Sequence, residues 1–122
     1  MPAIVDIYCR TATEDDETAA KLARQEQICR DYCTGHGLIV SAVHSEVASG
    51  VHTDNRTAFA AMQKRYRSGV ISGVVVSEME RVASNRTVTA AFITDLTQHN
   101  AALYCVDPTS ELIQRAFMQM EG

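Results

Sequence analysis

No stretch of the sequence approaches the roughly 20 consecutive apolar residues that a membrane helix needs, so a helical membrane span is excluded on length alone. The N-terminus, Met1-Pro2-Ala3-Ile4-Val5-Asp6, has neither a basic region nor the apolar core of a secretion signal. A cytoplasmic protein with no membrane partner is the expectation. An excess of positive charge is also missing: 11 Lys and Arg stand against 15 Asp and Glu, a net charge of -4. Small proteins that live on DNA are usually basic, so free-standing DNA binding is disfavoured. Neither a GxGxxG fingerprint nor a Walker loop occurs, which removes the glycine-rich phosphate cradle of common nucleotide binders. Internal repeats, low-complexity segments and linkers are absent too, which leaves one unit for all of residues 1–122.

What is present fits an ordinary globular chain. Hydrophobic residues make up 46% and charged residues 21%, proportions of a folded rather than a disordered sequence. A length of 122 residues suffices to bury one core without disulfide staples. Four cysteines, Cys9, Cys29, Cys33 and Cys105, are expected as reduced thiols in a chain without a secretion signal. Cys29, Cys33 and His36 would share a helical face, but a zinc site needs three or four ligands in tetrahedral array. They sit among Leu22, Ile28 and Tyr32, and no second cysteine pair accompanies them. Buried apolar thiols and no metal are expected. Asn55-Arg56-Thr57 and Asn85-Arg86-Thr87 fit the glycosylation sequon, which is idle in a cytoplasmic chain.

Along the chain, strand and helix patterns alternate. Ala3 to Cys9 reads as a buried strand. Thr13-Glu14-Asp15-Asp16 is a capping-box pattern, and predicts a helix from about Asp15 to Gly35 with Ala19, Leu22, Cys29, Tyr32 and Cys33 on its apolar face. Gly35-His36-Gly37 supplies the stop. Leu38 to Val43 is a second strand, and Ser45 to Asn55 reads as a loop. Thr57 to Arg67 is a helix with Phe59, Met62 and Tyr66 on one side, ended by Ser68-Gly69. A third strand, about Val70 to Ser77, centres on Val74-Val75-Val76 and is apolar throughout, which places it inside the sheet. Val88 to His99 is a third helix facing the core through Val88, Ala91, Phe92 and Leu96. Ala101 to Val106 is a fourth strand, Asp107-Pro108-Thr109-Ser110 a turn and cap, and Glu111 to Met120 a last helix cut short by the chain end. The alternation predicts an α/β fold: a three-layer sandwich with a mainly parallel sheet of four to five strands and helices on both faces.

Ligands on such sheets bind beyond the carboxyl ends of the strands. Polar residues collect there: Tyr8-Cys9-Arg10-Thr11-Ala12-Thr13 after strand one, Glu46 to Gly50 after strand two, Asn55-Arg56 before helix two, and Glu78 to Arg86 after strand three. Arg10, Arg56 and Arg81 are placed to converge on one crevice suited to an anion such as a phosphate. Gln25 falls on the apolar face of its helix, between Leu22 and Cys29, so its amide needs a partner, expected near that crevice.

The chain resembles the catalytic domain of the serine recombinases, the resolvase/invertase family. Tyr8-Cys9-Arg10-Thr11-Ala12-Thr13 stands for that family's Tyr-x-Arg-Val-Ser-Thr. Glu14-Asp15-Asp16 and Gln25 match its acidic segment and helical Gln, Ser49-Gly50 its Ser-Gly, and Asn55-Arg56 its Asp-Arg. Glu80-Arg81-Val82-Ala83-Ser84 stands for Asp-Arg-Leu-x-Arg. The resemblance covers nearly the whole chain and implies the resolvase-like fold, site-specific DNA recombination and no cofactor. It also implies a serine nucleophile that forms a phosphoserine link to DNA while arginines hold the scissile phosphate.

Two positions depart from that pattern. The nucleophile position is Ala12, whose methyl group cannot form a covalent intermediate, and the neighbouring Thr11 and Thr13 are not placed to substitute for it. The second Arg of Asp-Arg-Leu-x-Arg is Ser84, while Glu80 keeps a carboxylate one methylene further out. Arg10, Arg56, Arg81, Gln25, Ser49 and Gly50 remain. Where the family continues into a long helix and a DNA-binding domain, this sequence has only the beginning of such a helix, with no DNA-binding module. Leu112, Ile113, Ala116, Phe117 and Met120 form an apolar stripe on it, suited either to its own sheet or to a subunit interface. Three readings follow. The first is a catalytically inactive recombinase-like domain acting through protein contacts, as a homo-oligomer or with an active recombinase, and meeting DNA only as the resemblance implies. The second is a truncated or mutated catalytic domain of an active recombinase. The third is a phosphate or small-anion binding module.

Overall fold

The computed structural model describes residues 2–49 and 56–107. The chain runs β1 (Ile4–Thr11), α1 (Thr18–His36), β2 (Ile39–Val47), α2 (Thr57–Arg67), β3 (Gly73–Val76), a 3₁₀ turn (Met79–Arg81), α3 (Arg86–Gln98) and β4 (Ala102–Cys105). The four strands form one sheet in the order β2-β1-β3-β4, and every pairing is parallel. The α/β three-layer sandwich expected from the alternation is the observed architecture, with four strands among the described residues.

Strand alternation sorts the side chains of β1 onto two faces. Val5, Ile7 and Cys9 meet Cys29 and Cys33 of α1, together with Val75. Tyr8 points the other way and packs with Phe59, Met62 and Tyr66 of α2 and Phe92, Ile93 and Leu96 of α3. β3 is buried along its whole length, as its unbroken apolar run requires of an inner strand. Gly73 begins β3 because a Cβ there would come within 2.9 Å of the Tyr104 ring and 3.0 Å of the Ala102 carbonyl.

The observed elements differ from the sequence pattern in definite places. α1 starts at Thr18 rather than near Asp15. Asp15 instead forms a turn: its carboxylate accepts the Glu17 N–H at 2.8 Å, and the Thr18 hydroxyl accepts the Asp15 N–H at 2.8 Å. A short polar side chain that captures backbone N–H groups ahead of the helix delays the first helical turn. Ala19 is exposed, and the buried stripe of α1 runs through Thr18, Gln25, Cys29 and Cys33. The helix closes at Gly37, whose φ of 68° lets its N–H bond the Cys33 carbonyl. β2 continues through Val47, so Ser45, Glu46 and Val47 are strand and not loop, because they pair in register with Cys9, Arg10 and Thr11. α2 has the expected bounds and buries Phe59, Met62 and Tyr66. In α3 the core face is turned by about one residue: Thr89, Ala90, Phe92, Ile93 and Leu96 are buried while Ala91 is exposed. Val70 is 55% exposed and lies before β3, which is shorter than the apolar run.

Two polar clusters pin α2 in place. Asp6 is fully buried in β1 and accepts Arg65 Nε at 2.6 Å, while His44 Nε2 lies 2.7 Å away. Tyr66 donates its hydroxyl to Asp95 of α3, and Arg67 reaches the same carboxylate. Both carboxylates are thereby satisfied, as buried charge requires. Among the described residues no helix is long and apolar enough to cross a membrane, and no group of His, Cys, Asp and Glu side chains could hold a metal ion.

Candidate active site

At the carboxyl end of β1 the chain places Arg10, and three loops close around it. Its Nε donates to the Arg81 carbonyl at 2.7 Å, Nη1 to the Ala48 carbonyl at 2.8 Å, and Nη2 to the Glu80 carbonyl at 2.5 Å. The side chain therefore ties β1 to the segment after β2 and to the 3₁₀ turn after β3. Arg10 is only 4% exposed. Burial, with the nearby Arg56 and Arg81 guanidiniums, holds its pKa below the usual arginine value.

Gln25 answers the question its burial raised. Its Oε1 accepts the Arg10 N–H and its Nε2 donates to the Arg10 carbonyl, both at 3.0 Å. The amide thus pairs with the backbone of β1 as a neighbouring strand would, and α1 is locked to the strand at the site.

Arg56 lies deeper. It is 2% exposed, donates from Nη2 to the Tyr8 hydroxyl at 2.7 Å, and sits 4.3 Å from the centre of the Phe59 ring. Its Nε is 3.7 Å from Glu46 Oε2, and its Nε and Nη1 are buried without a hydrogen-bond partner among the described residues. Glu46, which sequence reasoning left out of the site, organises this layer. It accepts the Tyr8 hydroxyl at 2.6 Å and the N–H groups of Ala58 and Phe59 at 3.0 and 3.1 Å. A carboxylate from β2 thereby caps the N-terminus of α2. One signal was available: α2 has no acid in its first turn and Arg56 as its capping residue, so its free N–H groups needed an acceptor from elsewhere. Burial, together with the Glu46 carboxylate accepting its proton, raises the Tyr8 hydroxyl above the usual tyrosine range.

Arg81 stays partly open, its side chain 32% exposed and paired with Glu78 at 2.6 Å, and its Nη1 lies 3.5 Å from the Arg10 carbonyl. Its Nε is buried without a hydrogen-bond partner among the described residues. Glu80 is half-buried beside it, and Ser49 is exposed after β2. Ala12 is exposed one residue past the end of β1. Thr11 before it is buried, with its hydroxyl donated to the Thr13 carbonyl at 3.2 Å. Ser84 is exposed between the 3₁₀ turn and α3, next to Asn85, whose side chain caps α3 by accepting the Val88 N–H at 2.9 Å. Gly50, and the stripe of Leu112, Ile113, Ala116, Phe117 and Met120, lie outside the described residues.

The structure thus gathers Arg10, Gln25, Glu80 and Arg81 at one place and sets Arg56 beneath it. The three arginines are near enough to influence one another, but Arg10 is turned to backbone carbonyls and Arg56 is buried against Tyr8 and Phe59, so neither faces an open crevice. All four cysteines are free thiols, and Cys9, Cys29 and Cys33 are buried.

The sequence model of the family described as Resolvase, N terminal domain, matches residues 5–122. Several solved structures share the fold. The N-terminal catalytic domain of TP901-1 integrase superposes with a TM-score of 0.80 at 18% identity, covering 97% of this chain and 91% of that one. A resolvase family site-specific recombinase from Streptococcus pneumoniae gives 0.77 at 20% identity, covering 98% and 86%. The C-terminal catalytic domain of ISC1926 TnpA, an IS607-like serine recombinase, gives 0.77 at 18% identity, covering 96% and 79%. No curated protein sequence matches the chain.

Proposed function

The chain belongs to the resolvase N-terminal domain family, the catalytic domains of serine recombinases, and from that premise we propose that it serves DNA recombination through protein contacts without cleaving DNA itself. The observation that carries the reading is Ala12. It stands exposed one residue past the end of β1, at the position where the family motif calls for serine. Attack on a phosphodiester needs an oxygen or sulfur lone pair, and a methyl group offers none. In another covalent enzyme, loss of the nucleophile cost on the order of a million-fold in rate.

Two further features support the reading. Ser84 replaces a guanidinium that would balance charge developing on the phosphate, and a serine hydroxyl carries no charge to do so. Arg10 gives three of its five guanidinium N–H groups, one from each nitrogen, to backbone carbonyls, and at 4% exposure it is held as part of the protein frame. The residues kept from the motif act here as the frame of the domain. Their work is to hold the ends of β1 and β2 and the 3₁₀ turn in one arrangement.

Partners are then a second copy of this chain or an active recombinase, and neither metal nor cofactor enters. The test is trapping of covalent protein–DNA adducts on a random-sequence duplex library after denaturation. The expected result is no adduct from the natural sequence or from Ala12→Ser alone, and a detectable adduct from Ala12→Ser combined with Ser84→Arg. An adduct formed by the natural sequence would overturn the reading and make the chain an active recombinase domain.

A further inference from the structure

Among the described residues β2 pairs with β1 only, so its other edge is open. An open edge presents a row of unpaired N–H and C=O groups, and proteins commonly blunt such edges with lysine or proline. Neither residue occurs from Ile39 to Val47. The register with β1 slips at Ser41, which has no partner there, and from Ala42 to Val47 the pairing is regular. The Ala48 N–H bonds the Thr11 carbonyl. Backbone groups alternate sides along a strand, so Ala42, His44 and Glu46 also turn theirs to β1. Val43, Ser45 and Val47 turn theirs to the open edge.

The sequence of this edge is complementary to itself. Ser41-Ala42-Val43-His44-Ser45-Glu46-Val47-Ala48-Ser49 reads alike in both directions, except that His44 and Glu46 exchange places. Laid antiparallel on a second copy with Ser45 at the two-fold axis, Ser45 meets its own counterpart, Val43 meets Val47 of the other copy, and His44 meets Glu46. The Ser45 pair and the two Val43–Val47 pairs then exchange N–H···O bonds in both directions. They use only the backbone groups that face the open edge. Val47 is 39% exposed and gains an apolar neighbour in Val43, which lies on the α1 face of the sheet. Ser45 is exposed and small enough for close approach at the axis. On the α2 face an imidazole stands beside a carboxylate, a favourable cross-strand pair. Other axes do worse. One at Glu46 sets carboxylate against carboxylate, and one at Val43 draws the slipped Ser41 into the ladder and leaves Glu46 opposite Val40.

We propose that two copies of this chain associate through β2, with Ser45 on the two-fold axis, and join their sheets into one continuous sheet. The same patch serves both partners, as a closed two-fold contact requires. The contact goes beyond the recombination reading and holds whether or not the chain cleaves DNA.

Sedimentation equilibrium of the whole chain from about 5 to 500 µM is the test. The natural sequence is expected to pass from monomer to dimer in that range. Ser45→Pro removes the N–H at the axis, and because that group faces the open edge the domain itself loses no hydrogen bond. Ser45→Lys sets two like charges face to face from an exposed position. Each is expected to raise the dimer dissociation constant by about tenfold or more, with unchanged far-ultraviolet circular dichroism. Thr94→Lys, exposed on α3, which packs against β4 at the far edge of the sheet, is expected to leave the constant as it is. A chain that stays monomeric at about 500 µM would overturn the proposal. So would a dimer that both Ser45 variants leave intact, or one that Thr94→Lys weakens as much as they do. Adduct trapping reads DNA cleavage alone, so the failure of either idea is told apart from the failure of the other.

Discussion

Replacing Arg10 with alanine removes a side chain that joins three segments of the chain. The guanidinium donates to the carbonyls of Arg81, Ala48 and Glu80 at 2.7, 2.8 and 2.5 Å. Hydrogen bonds from a charged group contribute about 1.5–3 kcal/mol each, so a plain sum would reach about 4.5–9 kcal/mol. Two effects reduce it. The burial cost of the guanidinium and its repulsion by Arg56 and Arg81, which together lower its pKa, vanish with the side chain. The three carbonyls left without a donor cost about 1–3 kcal/mol each, and with that offset a net loss of about 3–5 kcal/mol is expected. Urea unfolding at 25 °C measures it. With a slope near 2 kcal/mol/M, the midpoint should fall by about 1.5–2.5 M at unchanged slope. Arg10→Lys keeps the charge but not the fork, so it should recover only about a third of the loss. If Arg10→Ala stays within about 1 kcal/mol of the natural protein, the idea that Arg10 frames the site is refuted, because surface substitutions alone cost no more than about 0.5 kcal/mol.

Two other outcomes are expected. Gln25→Glu keeps the acceptor for the Arg10 N–H but turns a carboxylate oxygen toward the Arg10 carbonyl, in place of the donor now at 3.0 Å. Its folded pKa is expected above the unfolded value of about 4.3, so its contribution is full below that pH and lost as pH rises through the folded pKa. Thermal unfolding from pH 4 to 7 should show the variant falling away from the natural protein, and parallel profiles would contradict this. For the thiols, burial pushes Cys9 and Cys29 up to about 12 and Cys105 to about 11. Unfolded thiols ionise near pH 8.5, so stability from the neutral buried forms is full below that pH and declines as pH rises toward 11–12. The urea midpoint should therefore drop above about pH 9, and iodoacetamide at neutral pH should reach Cys9, Cys29 and Cys33 only on unfolding. Fast alkylation of those three in the native protein would contradict the burial.

The residues that act alone or with near neighbours were legible in the sequence. The valine run of β3 needed two covered faces, and the parallel order of the sheet gives it both. The bounds of α2 and the glycine stop of α1 followed from spacing and turn chemistry. The need of Gln25 for a partner was visible from its place on an apolar stripe. The start of α1 was misread because acids near a helix N-terminus serve equally well in a preceding turn, and the choice between them rests on a few tenths of a kcal/mol to about 1 kcal/mol. The face of α3 shifted because small residues such as Ala90 and Ala91 carry little preference for either side.

Availability at the site was a different matter. Composition and order along the chain set out which polar side chains stand at the strand ends, and the motif positions showed an alanine without a nucleophilic group at 12 and an uncharged serine at 84. Whether an arginine faces solvent or protein depends on acceptors far away in the chain. Arg10 is bound to carbonyls 70 and 71 residues on, and Arg56 to a hydroxyl 48 residues back. Glu46 became central because parallel pairing of β1 and β2 set it beside Arg10 and against the start of α2. Helices and strands are written in the spacing of neighbouring residues, since their hydrogen bonds are local or repetitive. The partners of buried charge are settled by packing, where desolvation drives donors toward the acceptors that the folded chain brings near.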